Sequence, residues 1–448
     1  MGIKKWGKGA LLLATFVFWL ISFPMQGFLL RVGGHDVLLE AFLFPHMLAL
    51  FLTPKLFGRV NFTVIYKTSA IATAILTLLF HFISGLEPLL LPLIGLVSVG
   101  VFLVALELIR QSPRPILSAA IGLAAGNILV VLLSRTPIDS GYKFFLIAIP
   151  LFIPIFLDIS PNPAPREQIP VGLLLLLFLF YLTGGLLYGF QISLYEKNAI
   201  VPGGEVFFYI TAAIAVPLLF RGKKNHLLAY GIFLGAISFT LVQMRLPLAI
   251  NMDMFASQAS FALMDLFTIF FVISIGTPLA YGIGFGTVCL GIGAGDLLCH
   301  WTGSNLLLLA GAGNLALIGS VIVLFCFRKK FPEPGERQPD QQSPKNETMA
   351  DFGKPQLTAI LERIYTPHQN QLSDQELSVL LSVLTGKTYR ETARALNISE
   401  SSVKTYIRRV CEKLDVTGKS LLLEKIRQTH NQFTTEGRSS APKDSLPS

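Results

Sequence analysis

Leu372-Ser373-Asp374-Gln375-Glu376-Leu377-Ser378-Val379-Leu380, then Gly386-Lys387-Thr388, then Ser399-Glu400-Ser401-Ser402-Val403-Lys404-Thr405-Tyr406 is the stretch whose reading decides the C-terminal fold. Ser373 or Asp374 caps a helix running to about Thr385, with Leu377, Leu380, Leu381 and Leu384 on one apolar face. Gly386 suits the left-handed residue that ends such a helix. Thr388 caps a short helix, Tyr389 to Leu396, that turns Thr392, Ala393 and Leu396 inward. Asn397-Ile398 makes a tight turn, and Ser399 caps the next helix, 400–414. Val403, Ile407, Val410, Cys411 and Leu414 recur at three- and four-residue spacing and form its buried stripe. The other face carries Lys404, Thr405, Arg408, Arg409 and Lys413. A final helix, about 418–430, packs Leu421, Leu422 and Ile426.

A basic helix face on its own is usually solvated surface. Two short helices, a tight turn and a third helix with such a face fit helix-turn-helix geometry, in which the motif's second helix enters the major groove. The order of capped helices resembles the LuxR/FixJ output domain over about 55 residues. Leu372-Ser373, Glu376, Val379-Leu380, Gly386, Ala393, Leu396, Ser399, Val403-Lys404 and Lys413-Leu414 meet that family's pattern. Gln375 stands where Arg is usual, Thr392 where Ile is, Ser402 where Thr is and Tyr406 where His is. The resemblance implies binding to double-stranded promoter DNA. It sets Lys404, Thr405 and Arg408 at base edges, where Lys or Arg donates to guanine and the Thr methyl packs on thymine. It sets Thr388, Ser399, Ser402, Tyr406, Arg409 and Lys413 against phosphates. It also implies pairing as a homodimer through the last helix, where Leu421, Leu422, Leu423 and Ile426 serve either the partner or the domain's own core.

Outward from this module the composition changes. Charges come every few residues from 328 onward but are sparse and mostly single from 10 to 327. Of the 448 residues, 52% are hydrophobic and only 14% charged, with mean hydropathy +0.61. Soluble domains carry about 25% charged residues, so this is the composition of an integral membrane protein. The net charge of +9 decides little, because basic cytoplasmic loops alone produce it. Cys289, Cys299, Cys326 and Cys411 show no paired spacing, so neither a disulfide framework nor a zinc site is implied.

Apolar runs long enough to cross a hydrocarbon core of about 30 Å recur near 10–30, 37–54, 65–85, 88–109, 115–134, 142–160, 169–190, 204–220, 226–244, 254–276, 279–299 and 305–327. The first exceeds the apolar core of a secretory signal and ends without a small-residue cleavage site, so it reads as a retained span. With the N-terminus inside, Lys4, Lys5, Lys8, Lys55, Arg59, Arg110, Arg114, Arg166, Arg221, Lys223, Lys224 and Arg328-Lys329-Lys330 fall on the inner side. The outer loops hold only Arg31, Arg135, Lys143, Lys197 and Arg245. The positive-inside rule then puts both termini in the cytoplasm, where DNA is, and the LuxR/FixJ resemblance implies the bacterial inner membrane.

Lys55-Leu56-Phe57-Gly58-Arg59 after the second run and Phe220-Arg221-Gly222-Lys223-Lys224 after the eighth are short, basic and Gly-containing at equivalent places in two sets of six. This resembles the major facilitator superfamily, although Lys55 stands where that family's loop has an acid. The resemblance implies two six-helix halves with a ligand cavity between them near mid-membrane.

Polar residues inside spans are costly and therefore functional candidates. Glu107 with Arg110 one turn later reads more as a structural ion pair than as a ligand site, and His46 and His81 more as hydrogen-bonded structural histidines. Asp265 and Asp296 lie deep in the tenth and eleventh runs without an adjacent base. Together with Glu107 they are the candidates for an intramembrane ligand site, which would take a cation, an amine or a proton; for the two aspartates the alternative is to cap kinks beside Gly-rich backbone. Gly282-Ile283-Gly284-Phe285-Gly286 and Gly291-Ile292-Gly293-Ala294-Gly295 read as close helix packing.

The expected architecture is all-α. Residues 1–330 form the membrane bundle, 331–366 a Pro-rich linker too polar to fold alone, 367–430 the helix-turn-helix domain and 431–448 a disordered tail. About forty flexible residues span roughly 35 Å, which keeps the domain near the bilayer. The function expected is a one-component transcription regulator whose bundle senses a small-molecule or membrane-derived signal among the lipids. A secondary transporter with an autoregulatory domain is the alternative, and a protein-binding module a third. No cofactor is implied, and the motifs show no metal-ligand cluster, nucleophile–base arrangement or phosphate loop of an enzyme.

Overall fold

Prolines open and glycines close several of the long apolar helices. Pro115, Pro247 and Pro278 stand in the first turn of α7 (Pro115–Arg135), α13 (Pro247–Ile275) and α14 (Pro278–Thr302), where a missing N–H costs nothing. Thr277 Oγ1 also caps α14 by accepting from the Ala280 N–H at 3.1 Å. Gly276 and Gly303, with φ of 78° and 61°, end α13 and α14 in the left-handed conformation that glycine adopts without strain.

The computed structural model describes residues 5–25, 27–32, 39–56, 61–83, 85–157, 159, 169–219, 224–303, 305–327, 372–385, 387–414, 422 and 426. The chain divides into Met1–Arg337 and Gln338–Ser448. The expected linker, the tail and most of both basic connections after the second and eighth runs lie outside the described residues.

In the first unit the helices in order are α1 (Lys5–Ser22), α2 (Phe28–Val32), α3 (Leu39–Leu56), α4 (Phe62–Phe82), α5 (Glu87–Val97), α6 (Val99–Arg110), α7, α8 (Ser140–Ala148), α9 (Val171–Leu186), α10 (Ile192–Asn198), α11 (Glu205–Leu219), α12 (Lys224–Leu241), α13, α14 and α15 (Leu306–Phe327). A 3-10 segment extends α8 to Phe156, and a π-helical turn, Leu187–Gln191, joins α9 to α10. Helix therefore stands at every apolar run read from the sequence. Among the described residues, eight stretches are long and apolar enough to cross a membrane. Of the four remaining runs, those of α1, α8 and α11 are apolar but shorter, and α3 carries Glu40, His46 and Lys55. Length and composition support eight crossings directly, against the twelve expected.

Packing follows the two-half plan. α1 lies on α6 and α7, α3 on α5, α9 on α14 and α15, and α13 on α11 and α12. The halves meet chiefly where α3 packs on α14 and α7 on α11. Counted along the runs, these are the second with the eleventh and the fifth with the eighth, pairs that a shift of six positions interchanges. Glycine makes the closest approaches possible. A Cβ on Gly282 would strike the Leu50 carbonyl oxygen, and one on Gly295 the Leu182 carbonyl oxygen. The Gly-rich stretches are thus packing surfaces, as read from the sequence.

In the second unit the described helices are α16 (Asp374–Leu384), α17 (Tyr389–Ala395) and α18 (Glu400–Lys413). Their core holds Val379, Leu380, Val383, Ala393, Val403, Ile407, Val410, Cys411, Leu414, Leu422 and Ile426. Val379 and Val383 are more deeply set than Leu377, Leu381 and Leu384, which the sequence placed on the apolar face and which pack at its edge.

Candidate nucleic-acid interface and membrane cavity

Three caps set the angles of α16 to α18. Ser373 and Glu376 form a capping box: the Glu376 N–H donates to Ser373 Oγ (3.3 Å) and the Ser373 N–H to Glu376 Oε2 (2.8 Å). Thr388 and Glu391 repeat it, at 3.2 Å and 2.8 Å. Ser399 Oγ accepts from the Ser402 N–H at 3.0 Å and opens α18. Between α17 and α18, Asn397 takes a φ of 51°, the left-handed turn that a short polar side chain tolerates.

α18 buries Val403, Ile407, Val410 and Cys411, so at about 100° per residue its opposite face centres on Ser401, Thr405, Arg408, Arg409 and Glu412. The side chains of Lys404 and Arg408 are 62% and 72% exposed, and their partners among the described residues lie on their own helix. Lys404 Nζ is 3.1 Å from Glu400 Oε1, and Arg408 Nε is 3.7 Å from Glu412 Oε1. Thr405 Oγ1 donates to the Ser401 carbonyl at 3.0 Å, which turns its methyl group away from that bond. Arg409 is exposed, and Thr388, Ser399 and Ser402 lie at helix starts, with Ser399 and Ser402 sharing a 2.8 Å hydroxyl contact. Exposed ion pairs of this kind are worth about 0–1 kcal/mol and exchange readily for a phosphate or base.

Two of the expected phosphate contacts have internal partners as well. Tyr406 OH donates to Gln375 Oε1 at 2.8 Å, so two positions that depart from the LuxR pattern bond each other across α16 and α18. Lys413 Nζ is 2.7 Å from Glu376 Oε2, whose residue is only 4% exposed. Burial pushes the Glu376 carboxyl up, but hydrogen bonds from Lys413 and Ser373 outweigh it and hold the group below its ordinary value. The exposed Glu391 carboxyl is also lowered, by the backbone and side-chain hydrogen bonds of Thr388. Leu422 and Ile426 are fully buried within the module, while Leu421 and Leu423 lie outside the described residues.

In the membrane unit a cavity of about 610 Å³ opens between the halves, lined by Phe16, His46 and Asn127 from one and Tyr181, Gln258 and Asp265 from the other. Asp265 is held there by two tyrosines, its Oδ1 accepting from Tyr181 OH (2.7 Å) and its Oδ2 from Tyr209 OH (2.6 Å). Glu107 is elsewhere and engaged on both oxygens. Arg110 reaches both of them at 2.5 and 2.9 Å, Gln111 Nε2 donates to Oε1 at 2.7 Å and Tyr281 OH to Oε2 at 2.9 Å. That is the ion pair read from the sequence, with the added finding that Tyr281 ties α14 to α6. His46 Nδ1 lies 3.0 Å from the Gly95 carbonyl oxygen and 2.9 Å from Ser98 Oγ, a structural histidine. Asp296 is outside the cavity and buried beside Glu40 and His300. Sequence reasoning missed a further polar group: Asp253, fully buried, accepts from Ser238 Oγ and from Gln191 Nε2 at 3.0 Å. Extending the tenth run by one residue would have found it.

Residues 370–424 match the family described as bacterial regulatory proteins, luxR family (GerE), and are a helix-turn-helix domain of that type. No curated protein matches the chain closely enough to count as a relative. Among solved structures, the human organic anion transporter MFSD10 (TETRAN) is similar at 15% identity and a TM-score of 0.51, over 71% of this chain and 97% of that one. The Escherichia coli fucose:proton symporter FucP (N162A) is similar at 12% identity and 0.54, over 72% and 98%. A bacterial homologue of the iron transporter ferroportin, in an outward-facing state, is similar at 14% identity and 0.52, over 72% and 98%. The membrane unit therefore has the fold of the major facilitator transporters, joined to a LuxR-type domain.

Proposed function

We propose that the chain is a membrane-bound one-component transcription regulator whose helical bundle supplies the input and whose α18 reads promoter DNA. The observation that carries the reading is α18 itself, capped by Ser399 and buried along one stripe, with Thr405 and Arg408 on the opposite face and Lys404 exposed at its edge. These three contact base edges. Thr388, Ser399, Ser402, Tyr406, Arg409 and Lys413 contact phosphates, with Tyr406 and Lys413 also bracing α18 against α16. The protein binds as a homodimer, lies in the bacterial inner membrane and keeps both termini in the cytoplasm. Footprinting with the full-length protein in detergent on a selected operator tests this. A protected half-site pair supports it, and uniform protection at every salt concentration overturns it.

A second reading, a transporter that regulates its own synthesis, is favoured by the cavity between the halves and by Asp265 at its wall. Uptake of a solute into proteoliposomes that Asp265→Asn abolishes would establish it. Absence of uptake with DNA binding intact leaves the bundle as a sensor.

A further inference from the structure

Glu40 and Asp296 are far apart in sequence yet meet His300 where α3 begins and α14 ends. One oxygen of each carboxylate and one ring nitrogen of His300 lie within 4.8 Å of one another. Asp296 is 1% exposed, and neither of its oxygens has a hydrogen-bond partner among the described residues; Glu40 Oε2 is likewise buried and unpartnered. Adjacent carboxylates with three oxygens lacking a donor among the described residues repel each other and are costly to desolvate, and a cation between them relieves both effects. His300 Nδ1 is 3.8 Å from Glu40 Oε1 and 3.0 Å from the Asp296 backbone oxygen, so the ring is tethered to its own helix beside both acids. From the other side Gly189, in the π-helical turn, closes over Asp296. A Cβ there would stand 3.0 Å from Oδ1. Turns of this kind recur at functional sites.

We propose that Glu40, Asp296 and His300 bind one divalent transition-metal cation that ties α3 of the first half to α14 of the second. Two carboxylates and an imidazole, with no thiolate in the set, suit Zn²⁺ or Mn²⁺ rather than a soft monovalent ion. Three protein ligands leave room for water. The exposure of the side chains falls from 49% at His300 to 12% at Glu40, which provides a path inward to Asp296. α14 ends at Thr302 and α15 begins at Leu306, so the site stands at the C-terminal end of α14. At the opposite end of α14, Tyr281 and Glu107 make the corresponding tie to the first half. Cation occupancy thus favours the arrangement in which the halves are closed at the His300 end. The site stands independently of the DNA-binding reading; its use as an input to transcription rests on that reading.

The test uses full-length protein in detergent, stripped with a chelator and titrated separately with Zn²⁺ and Mn²⁺ by calorimetry, with bound metal counted by elemental analysis. One ion per chain is expected for at least one of the two. Asp296→Asn and His300→Gln should each weaken binding about tenfold or more. The double variant E40Q/D296N should lose the site, and His226→Gln should leave it unchanged. The metal should raise the unfolding temperature of the natural protein but not of the double variant, whose own unfolding temperature in chelator should be no lower. No saturable binding by either cation, the result expected if the two carboxylates share a proton, overturns the proposal. So does a double variant that binds as the natural protein does.

Discussion

The membrane bundle and the DNA-binding module are both helical, but different things hold their helices in register. In the module, an apolar core of eleven buried residues among those described is supplemented by side-chain caps at each described helix start, all within four residues of the group they satisfy. In the bundle, caps are secondary, and register comes from glycines that let backbones touch and from buried polar ties between distant helices. Trp19 Nε1 to Thr77 Oγ1 at 3.0 Å, Tyr281 to Glu107 and the two tyrosines on Asp265 are such ties. Lipid offers no hydrophobic drive between helices, so close contact and hydrogen bonds must do in the bundle what apolar burial does in the module. The module carries its information locally, whereas the bundle's is spread across the chain.

The sharpest way to break this contrast is steric. Gly295→Val drives a side chain into the Leu182 carbonyl and should destabilise the bundle by at least about 3 kcal/mol. Gly311→Val in α15, where a Cβ meets nothing within 4 Å, should cost far less. Equal losses in thermal unfolding of the two variants would mean that backbone contact does not set register. Next in size, Lys413→Ala leaves the buried Glu376 carboxylate without its cation and should cost the module about 1.5–3 kcal/mol. The folded Glu376 carboxyl is lowered, so its contribution is complete above the unfolded value of about 4.3 and is lost as pH falls through the lower folded one. Acid titration should therefore destabilise the natural module more steeply than the Lys413→Ala variant.

Smaller effects probe the module's own departures. Thr392 is fully buried and its hydroxyl has no partner among the described residues, so Thr392→Val should stabilise the module by about 1 kcal/mol in a denaturant titration. A loss instead would reveal a role for that hydroxyl. Glu412→Gln removes an exposed partner of Arg408 and should change stability by less than about 0.5 kcal/mol while tightening DNA binding.

The same contrast explains what the sequence made legible. Ser373, Thr388 and Ser399 were readable as caps because a cap is a local pattern, and the stripe from Val403 to Leu414 because helical period is local too. Hydropathy likewise located each helical run of the bundle. The α3–α14 and α7–α11 contacts, the Tyr281–Glu107 tie and the meeting of Glu40 with Asp296 and His300 join residues from opposite halves, and nothing in either neighbourhood marks the partner. The Tyr406–Gln375 bond is an intermediate case. Both positions stand out as departures from the family pattern, yet only the fold shows that they bond each other.

Reading of DNA by the exposed face of α18, as proposed, is checked by the affinity of full-length protein for a selected operator, measured for the natural chain, Lys404→Ala, Arg408→Ala and the double variant at fixed salt. Each single change should cost about 1–3 kcal/mol on the specific site and relax preference at one base position, with little change on random DNA. A double variant that binds the operator as tightly and selectively as the natural protein would mean that α18 does not read the bases.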